Sequence, residues 1–316
     1  MKTRIATFNV ENLFLRYRLL EKAKGSRSPK TLTMSDFEKN GSILMLGVSI
    51  EDFGPVSKSS RRLTQRVILE IDADVLALQE VENLETLKQF NRHFLKGRYP
   101  YQVLVDGNDP RQIDVGLLSK HPVGALRTHQ FETEEKSRIF SRDCLEVEIS
   151  LPAGKTLSVL VNHFKSKIGG GEEKRERQAR RVAEILRERF GADLKGDFVV
   201  CGDFNAGPDE PELEPLLKPG SKGLENVVAR IDEDPDAFDG HGTRWTHYYK
   251  KGRSAEQLDF LLLSPSLAKR NPHAQPTIER RGLGTDIDIY EGERFGSLEG
   301  KEGASDHCPA CIDVEV

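Results

Sequence analysis

Residues 197–205 read DFVVCGDFN, and this stretch decides the architecture. The apolar run Phe198 to Cys201 is unbroken and stops at a polar Gly-Asp-Phe-Asn tip. A short apolar run closed by a turn signal reads as a strand buried on both faces. Gly202 lets the backbone bend closely at the strand's end. Asp203 and Asn205 lie two residues apart and so share a face. Gly, Asp and Asn are turn formers, so a plain tight turn is the competing reading. The strongly apolar strand just before the tip favours a working site.

The same grammar recurs outward from this point. RIATFNVEN opens the chain and reaches Asn9 and Glu11, and DVLALQEV runs to Glu80. KTLSVLVNHF ends at Asn162 and His163, EQLDFLLLS opens near Asp259, and SDHCPACIDVEV carries Asp306 and His307 ahead of a last strand. YQVLVDG and IDVGLLSK read as a strand pair turning near Asn108 to Pro110. CLEVEIS and KTLSVLV read as another, turning at Pro152 to Gly154. Helical spacing appears at Arg61 to Asp72 and at Glu172 to Phe190, where Ala179, Val182, Ala183 and Leu186 make one apolar face. A polar stretch around residues 20–60 reads as a surface insertion, and residues 281–303 as a long loop. Site-type residues come from both ends of the chain, so residues 1–316 are expected to form one domain. The class is α/β (α+β), with two mainly antiparallel sheets packed face to face and helices outside.

Composition narrows the function classes. The chain has 316 residues, 37% hydrophobic and 31% charged, as in a soluble globular protein. No apolar run could span a bilayer and no signal peptide is visible, so a cytoplasmic location is expected, with a mature secreted form left open. With 47 basic against 51 acidic residues the net charge is −4, which excludes a global basic field. That disfavours a dedicated nucleic-acid binder but not a nuclease with a local basic rim. Nothing calls for an obligate protein partner. Cys308 and Cys311 form a CxxC with no second ligand pair, so the cysteines read as core residues in a reducing compartment.

The strand tips carry chemistry. Glu80 suits a hard divalent cation, and Asn9 and Glu11, read as i and i+2 on one face, suit the metal or its water. Asp203 and Asn205 suit activation and orientation of a water. A buried Asp259 would fix the tautomer of His307, with Asp306 beside it. His163 with Asn162, Lys165 and Lys167 makes a cationic strand end that could meet a phosphate; for the lysines a surface patch is the alternative. Arg111, Asp114 and Arg142 are phosphate-site candidates or structural ion-pair partners. Trp245, Tyr248 and Tyr249 read as core aromatics, with stacking on bases as the alternative.

The ordered set FNVEN, LQE, RxIDVxLLS, NHFKSK, GDFN, LDF and SDH resembles the endonuclease/exonuclease/phosphatase superfamily, also called DNase I-like, and its bacterial members most closely. The motifs run from Asn9 to His307. The resemblance implies a four-layer sandwich and a divalent cation, Mg²⁺ or Mn²⁺ with Ca²⁺ as a third candidate. It implies Glu80 as principal metal ligand, Asn9 and Glu11 nearby, and Asp306 as a further metal or phosphate-site carboxylate. It implies Asp203 and Asn205 as water-activating residues, His163 as a phosphate contact, and Asp259 as the partner of His307. The expected activity is a phosphodiesterase, foremost a nuclease acting on DNA or RNA by in-line attack of water. The alternatives are a phosphomonoesterase or a phosphodiesterase for inositol or lipid headgroups, and, from another class, an inactive binding protein on this fold.

Overall fold

In the computed structural model, which describes residues 2–13, 17–19, 31–32, 53–55, 58–218, 223–296 and 303–316, the apolar runs become the strands of two six-stranded sheets. In chain order these are β1 (Lys2–Leu13), β2 (Val75–Val81), β3 (Tyr101–Leu104), β4 (Asp114–Ser119), β5 (Val123–Arg127) and β6 (Cys144–Leu151). They continue as β7 (Lys155–His163), β8 (Phe198–Asp203), β9 (Glu225–Asn226), β10 (Asp259–Leu263), β11 (Thr277–Ile278) and β12 (Ala310–Glu315). The first sheet runs β11-β12-β1-β2-β4-β3 and the second β9-β10-β8-β7-β6-β5. Each is mainly antiparallel, with one parallel pair: β1 with β2, and β7 with β8. A parallel pair needs a crossover. The helices α1 (Lys58–Ile71) and α3 (Glu172–Phe190) lie on those two connections, and α2 (Leu84–His93) follows β2.

Alternation along each strand builds the layers. Ile5, Val75 and Val115 from the first sheet meet Val159, Val199 and Leu261 from the second in one buried cluster between the sheets. Phe8, Leu76 and Leu78 face the other way and pack under Val67 of α1 and Phe90 of α2. Leu160, Phe198 and Val200 pack under Val182 and Leu186 of α3. The order is helix, sheet, sheet, helix. No helix among the described residues is long and apolar enough to cross a membrane.

Two readings gain detail here. The insertion expected around residues 20–60 lies largely outside the described residues. The pieces Tyr17–Leu19, Thr31–Leu32 and Phe53–Pro55 pair as a small antiparallel sheet. The loop expected at 281–303, whose residues 297–302 lie outside the described set, is less polar in function than in composition. Leu283, Ile287 and Ile289 are buried against Trp245, Tyr248 and Cys308. All four cysteines are free and buried.

Candidate active site

Strand direction gathers the polar tips at one edge. β2 runs parallel to β1 and β12 antiparallel to it, so the ends of β1 and β2 lie beside the start of β12. In the second sheet β8 is parallel to β7 and antiparallel to β10, so the ends of β7 and β8 lie beside the start of β10. Across the two edges, Asn9 Nδ2 donates to Asp203 Oδ2 at 3.0 Å.

Asp203 stands at the centre. His163 Nε2 lies 3.5 Å and His307 Nε2 3.7 Å from its Oδ2. The backbone N–H of Asn205 donates to its Oδ1 at 2.8 Å. His307 is anchored from behind, its Nδ1 2.8 Å from Asp259 Oδ2. The same carboxylate oxygen accepts from Thr246 Oγ1 at 2.8 Å. Thr246 Oγ1 in turn accepts the N–H groups of Leu258 and Asp259. Ser305 Oγ accepts from the His307 N–H and donates to the Asn9 carbonyl, tying the His307 loop to β1. A cleft of about 550 Å³ opens over this group, lined by Glu11, Glu80, Arg111, Arg142, His163, Asp203, Asn205, Asp306 and His307 among others.

Two strand tips are bent. Glu80 has φ +63° at a register shift of β2 against β4. Glu11 and Asn12 have φ +45° and +63° where β1 shifts against β2. A β-bulge re-aims a side chain, and left-handed non-glycine residues gather at working sites. The bend overturns the expectation that Asn9 and Glu11 share a face. Asn9 is buried, and its Oδ1 accepts the Glu11 N–H at 3.1 Å while its Nδ2 holds Asp203. The Asn9 carboxamide thus ties Asp203 to the tip of β1, and Asn9 is not among the residues that line the cleft. Glu11 is exposed and its Oε2 accepts the Asp306 N–H at 3.1 Å. Glu80 Oε2 accepts the Asn12 N–H at 3.1 Å.

The phosphate-site candidates divide. Asn162 precedes His163, so strand alternation turns it to the opposite, helix-facing side of the sheet. There it is fully buried and donates to the Leu160 carbonyl. It does not line the cleft. Lys165 is also turned away, its Nζ donating to the carbonyls of Ser166 and Ile168. Lys167 does line the cleft but is closed by Glu210 and Glu256. Arg111 and Arg142 line the cleft and share one partner, Asp109, at 3.1 and 3.0 Å. Arg142 is buried and also donates to the Phe164 carbonyl.

Three participants gave no sequence signal. Thr246 and His247 sit in an aromatic stretch without spacing, and Asp109 precedes a proline and reads as a turn. The His247 ring centre is 4.5 Å from that of His307, and its Nε2 is 3.8 Å from Asp306 Oδ2.

The sequence model of the Endonuclease/Exonuclease/phosphatase family matches residues 6–307. The chain belongs to this family. Its members are generally metal-dependent hydrolases of phosphoester bonds. The fold agrees with that of truncated TDP2 from Caenorhabditis elegans, at 15% identity and a TM-score of 0.61 over 100% of this chain and 98% of that one. It agrees equally with the human Nocturnin catalytic domain with bound sulfate anion, at 15% identity and a TM-score of 0.61 over 99% of this chain and 94% of that one. A third match is beta toxin from Staphylococcus aureus, at 14% identity and a TM-score of 0.57 over 98% and 99%. No curated protein matches significantly by sequence.

Electrostatics separate the two histidines that flank Asp203. Burial, helped by Arg142, pushes His163 well below the usual imidazole range, so it is neutral. Burial also opposes a charge on His307, but Asp259 and Asp203 outweigh it and hold that ring protonated. Burial pushes Asp203 up against the pull of His307. Burial, with the Asp306 and Asp203 charges, pushes Glu80 up despite His307. Asp306 is opposed by burial yet held at about 2 by the His247 and His307 rings. Partial desolvation of its carboxylate among the neighbouring tips, and the Asp306 charge, raise Glu11 although its side chain is open to solvent. Oxygen donors that repel one another around a cleft fit a hard divalent cation, which would relieve that repulsion.

Proposed function

We propose that this protein is a divalent-metal-dependent phosphodiesterase that hydrolyses nucleic acid. The observation that carries this reading is the placement of Asp203 between the His163 and His307 rings, 3.5 and 3.7 Å from its Oδ2, under a cleft rimmed by acidic groups. Environments that drive paired titratable groups apart assign acid and base roles. Asp203, held by Asn9 and the Asn205 N–H, takes the proton from the attacking water. A raised carboxylate is a better base near neutral pH. The His307 imidazolium, anchored by Asp259, faces the charge that develops on the phosphoryl oxygens. Neutral His163 donates a hydrogen bond from Nε2 to the same group. Arg142 and Arg111 orient the phosphate from the Asp109 side. Glu80, with Asp306 and Glu11, would hold the Mg²⁺ or Mn²⁺, which when bound polarises the phosphoryl group and stabilises the leaving oxygen.

A second reading, a phosphomonoesterase or a phosphodiesterase for inositol or lipid headgroups, is favoured by one observation. The cleft-lining cations Lys167 and Arg111 are each paired with carboxylates, so the cleft lacks an unopposed basic strip. Hydrolysis of plasmid DNA, single-stranded DNA, RNA, bis-p-nitrophenyl phosphate and p-nitrophenyl phosphate, with Mg²⁺, Mn²⁺ or EDTA, separates the two. Metal-dependent cutting of a polymer supports the nuclease. Turnover of the small esters alone supports the second reading.

A further inference from the structure

The short hairpin His247–Tyr249/Ser254–Glu256 turns a whole face to the cleft. Its register sets His247 opposite Glu256 and Tyr249 opposite Ser254. Alternation places these four on one side, and all four line the cleft. Tyr248, on the other side, is buried with Trp245 and Cys308. Of the three aromatics in this stretch only Tyr249 is open, at 47% exposure.

Ile168 lines the same cleft and is 80% exposed. The loop after β7 holds it there. Lys165 Nζ donates to the Ser166 and Ile168 carbonyls, the Ile168 N–H donates to Ser166 Oγ, and three left-handed glycines, Gly169 to Gly171, follow. Five large hydrophobic side chains are exposed among the described residues, and two of them line this one cleft. Single exposed apolar residues need no explanation; two at one cleft beside a phosphate site mark a binding surface.

This wall also offers no spare positive charge. Lys167 is bound by Glu210 and Glu256. A second phosphate would find no counter-charge there, whereas an uncharged, flat group would find an aromatic face and an aliphatic side chain. A cleft of about 550 Å³ is the size of a small-molecule site.

We propose that this wall seats the nucleobase adjoining the scissile phosphate. Tyr249 stacks on the base and Ile168 packs against it, so the protein prefers unpaired nucleotides to duplex. The proposal rests on the nuclease reading. A base inside a duplex has both faces covered by its neighbours and cannot offer one to Tyr249. A splayed base offers both, and stacking is tolerant of base identity. A quaternary ammonium headgroup is met by a cage of aromatic faces. Here there is one exposed ring, and Glu256 is already taken by Lys167.

The test measures kcat and KM of the wild type, Tyr249→Ala, Tyr249→Phe and Ile168→Ala. The substrates are a single-stranded oligonucleotide, its duplex, an oligonucleotide of abasic residues and p-nitrophenylphosphorylcholine. Tyr249→Ala is expected to raise KM for the single strand about tenfold or more, with kcat changed by less than about twofold. Tyr249→Phe, which keeps the ring, stays near wild type, and the abasic substrate is insensitive to either change. A single-strand KM unchanged in Tyr249→Ala, an equal rise on the abasic substrate, or a wild-type preference for duplex overturns the proposal while leaving the nuclease standing. Wild-type inactivity on every nucleic acid overturns both. Choline-ester turnover that Tyr249→Ala alone abolishes assigns the wall to a headgroup instead.

Discussion

Replacing Asp259 by Asn tests the charge on His307. The pair is buried, with Nδ1 and Oδ2 2.8 Å apart. At that separation and an effective dielectric constant of ~20, the attraction between imidazolium and carboxylate is about 6 kcal/mol. Desolvation of both groups offsets much of this. Asparagine keeps an oxygen for Nδ1–H and for Thr246 Oγ1, so the fold should survive. What disappears is the largest of the charges that keep His307 protonated. Its imidazolium would then persist only at lower pH. Loss of a positioned charge-stabilising donor costs about 2.7–4 kcal/mol, or roughly 10²–10³ in kcat. The assay is kcat/KM against pH for both proteins on one phosphodiester. The ratio of mutant to wild type should be closest to one at acid pH and fall as pH rises. A constant ratio across the range, or a deficit below about tenfold at pH 8, would refute the assignment of a charged His307.

Three further outcomes follow from the fold. Gly202→Ala should cost more than about 3 kcal/mol in denaturant unfolding, because φ is +134° and a Cβ would stand 1.9 Å from the Asn162 carbonyl oxygen; a loss under about 1 kcal/mol contradicts this. Trp245→Ala should lower stability by about 3–5 kcal/mol without altering KM for an oligonucleotide, since the ring is buried with Arg280 over its face. Burial pushes Asp114 up to about 7, with the Gly107 N–H pulling back and Asp106, Asp109 and Asp143 adding to the rise. The native state therefore holds a proton that the unfolded chain releases near 4, and this group's contribution to stability falls as pH rises from about 4 to 7. Asp114→Asn should remove that slope and stabilise the protein above pH 7, by about 4 kcal/mol at most; unchanged pH dependence of the unfolding midpoint contradicts the shift.

The layer order and the common edge were legible because they rest on alternation and strand direction. Apolar runs such as Phe198–Cys201 and Val75–Leu78 could only be satisfied between a second sheet and a helix layer. α3 keeps the bounds its apolar spacing predicts, whereas α1 begins at Lys58 rather than Arg61. The bulges at Glu11 and Glu80 were not legible, since glutamate carries no preference for positive φ and only tertiary contacts hold it there. That feature breaks the simple alternation of Asn9 and Glu11. Asn162 differs for another reason: it adjoins His163 in one polar tip of the sequence, but alternation sends the two to opposite faces. The charge of Lys165 suggests a phosphate contact, but backbone carbonyls of its own loop claim it. Thr246 and His247 act through partners distant in sequence, and Asp109 joins its neighbour Arg111 to the distant Arg142, so no local pattern announces their part in the site.

The most direct measurement compares wild type and Asp203→Ala on single-stranded DNA and RNA with Mg²⁺, Mn²⁺ or EDTA, with thermal unfolding of both proteins alongside. The expected result is cleavage by the wild type only when a divalent cation is present, and a fall of about 10²–10⁴-fold in the mutant at near-native stability. Cleavage that persists in EDTA, or a folded Asp203→Ala protein as active as the wild type, would contradict the account.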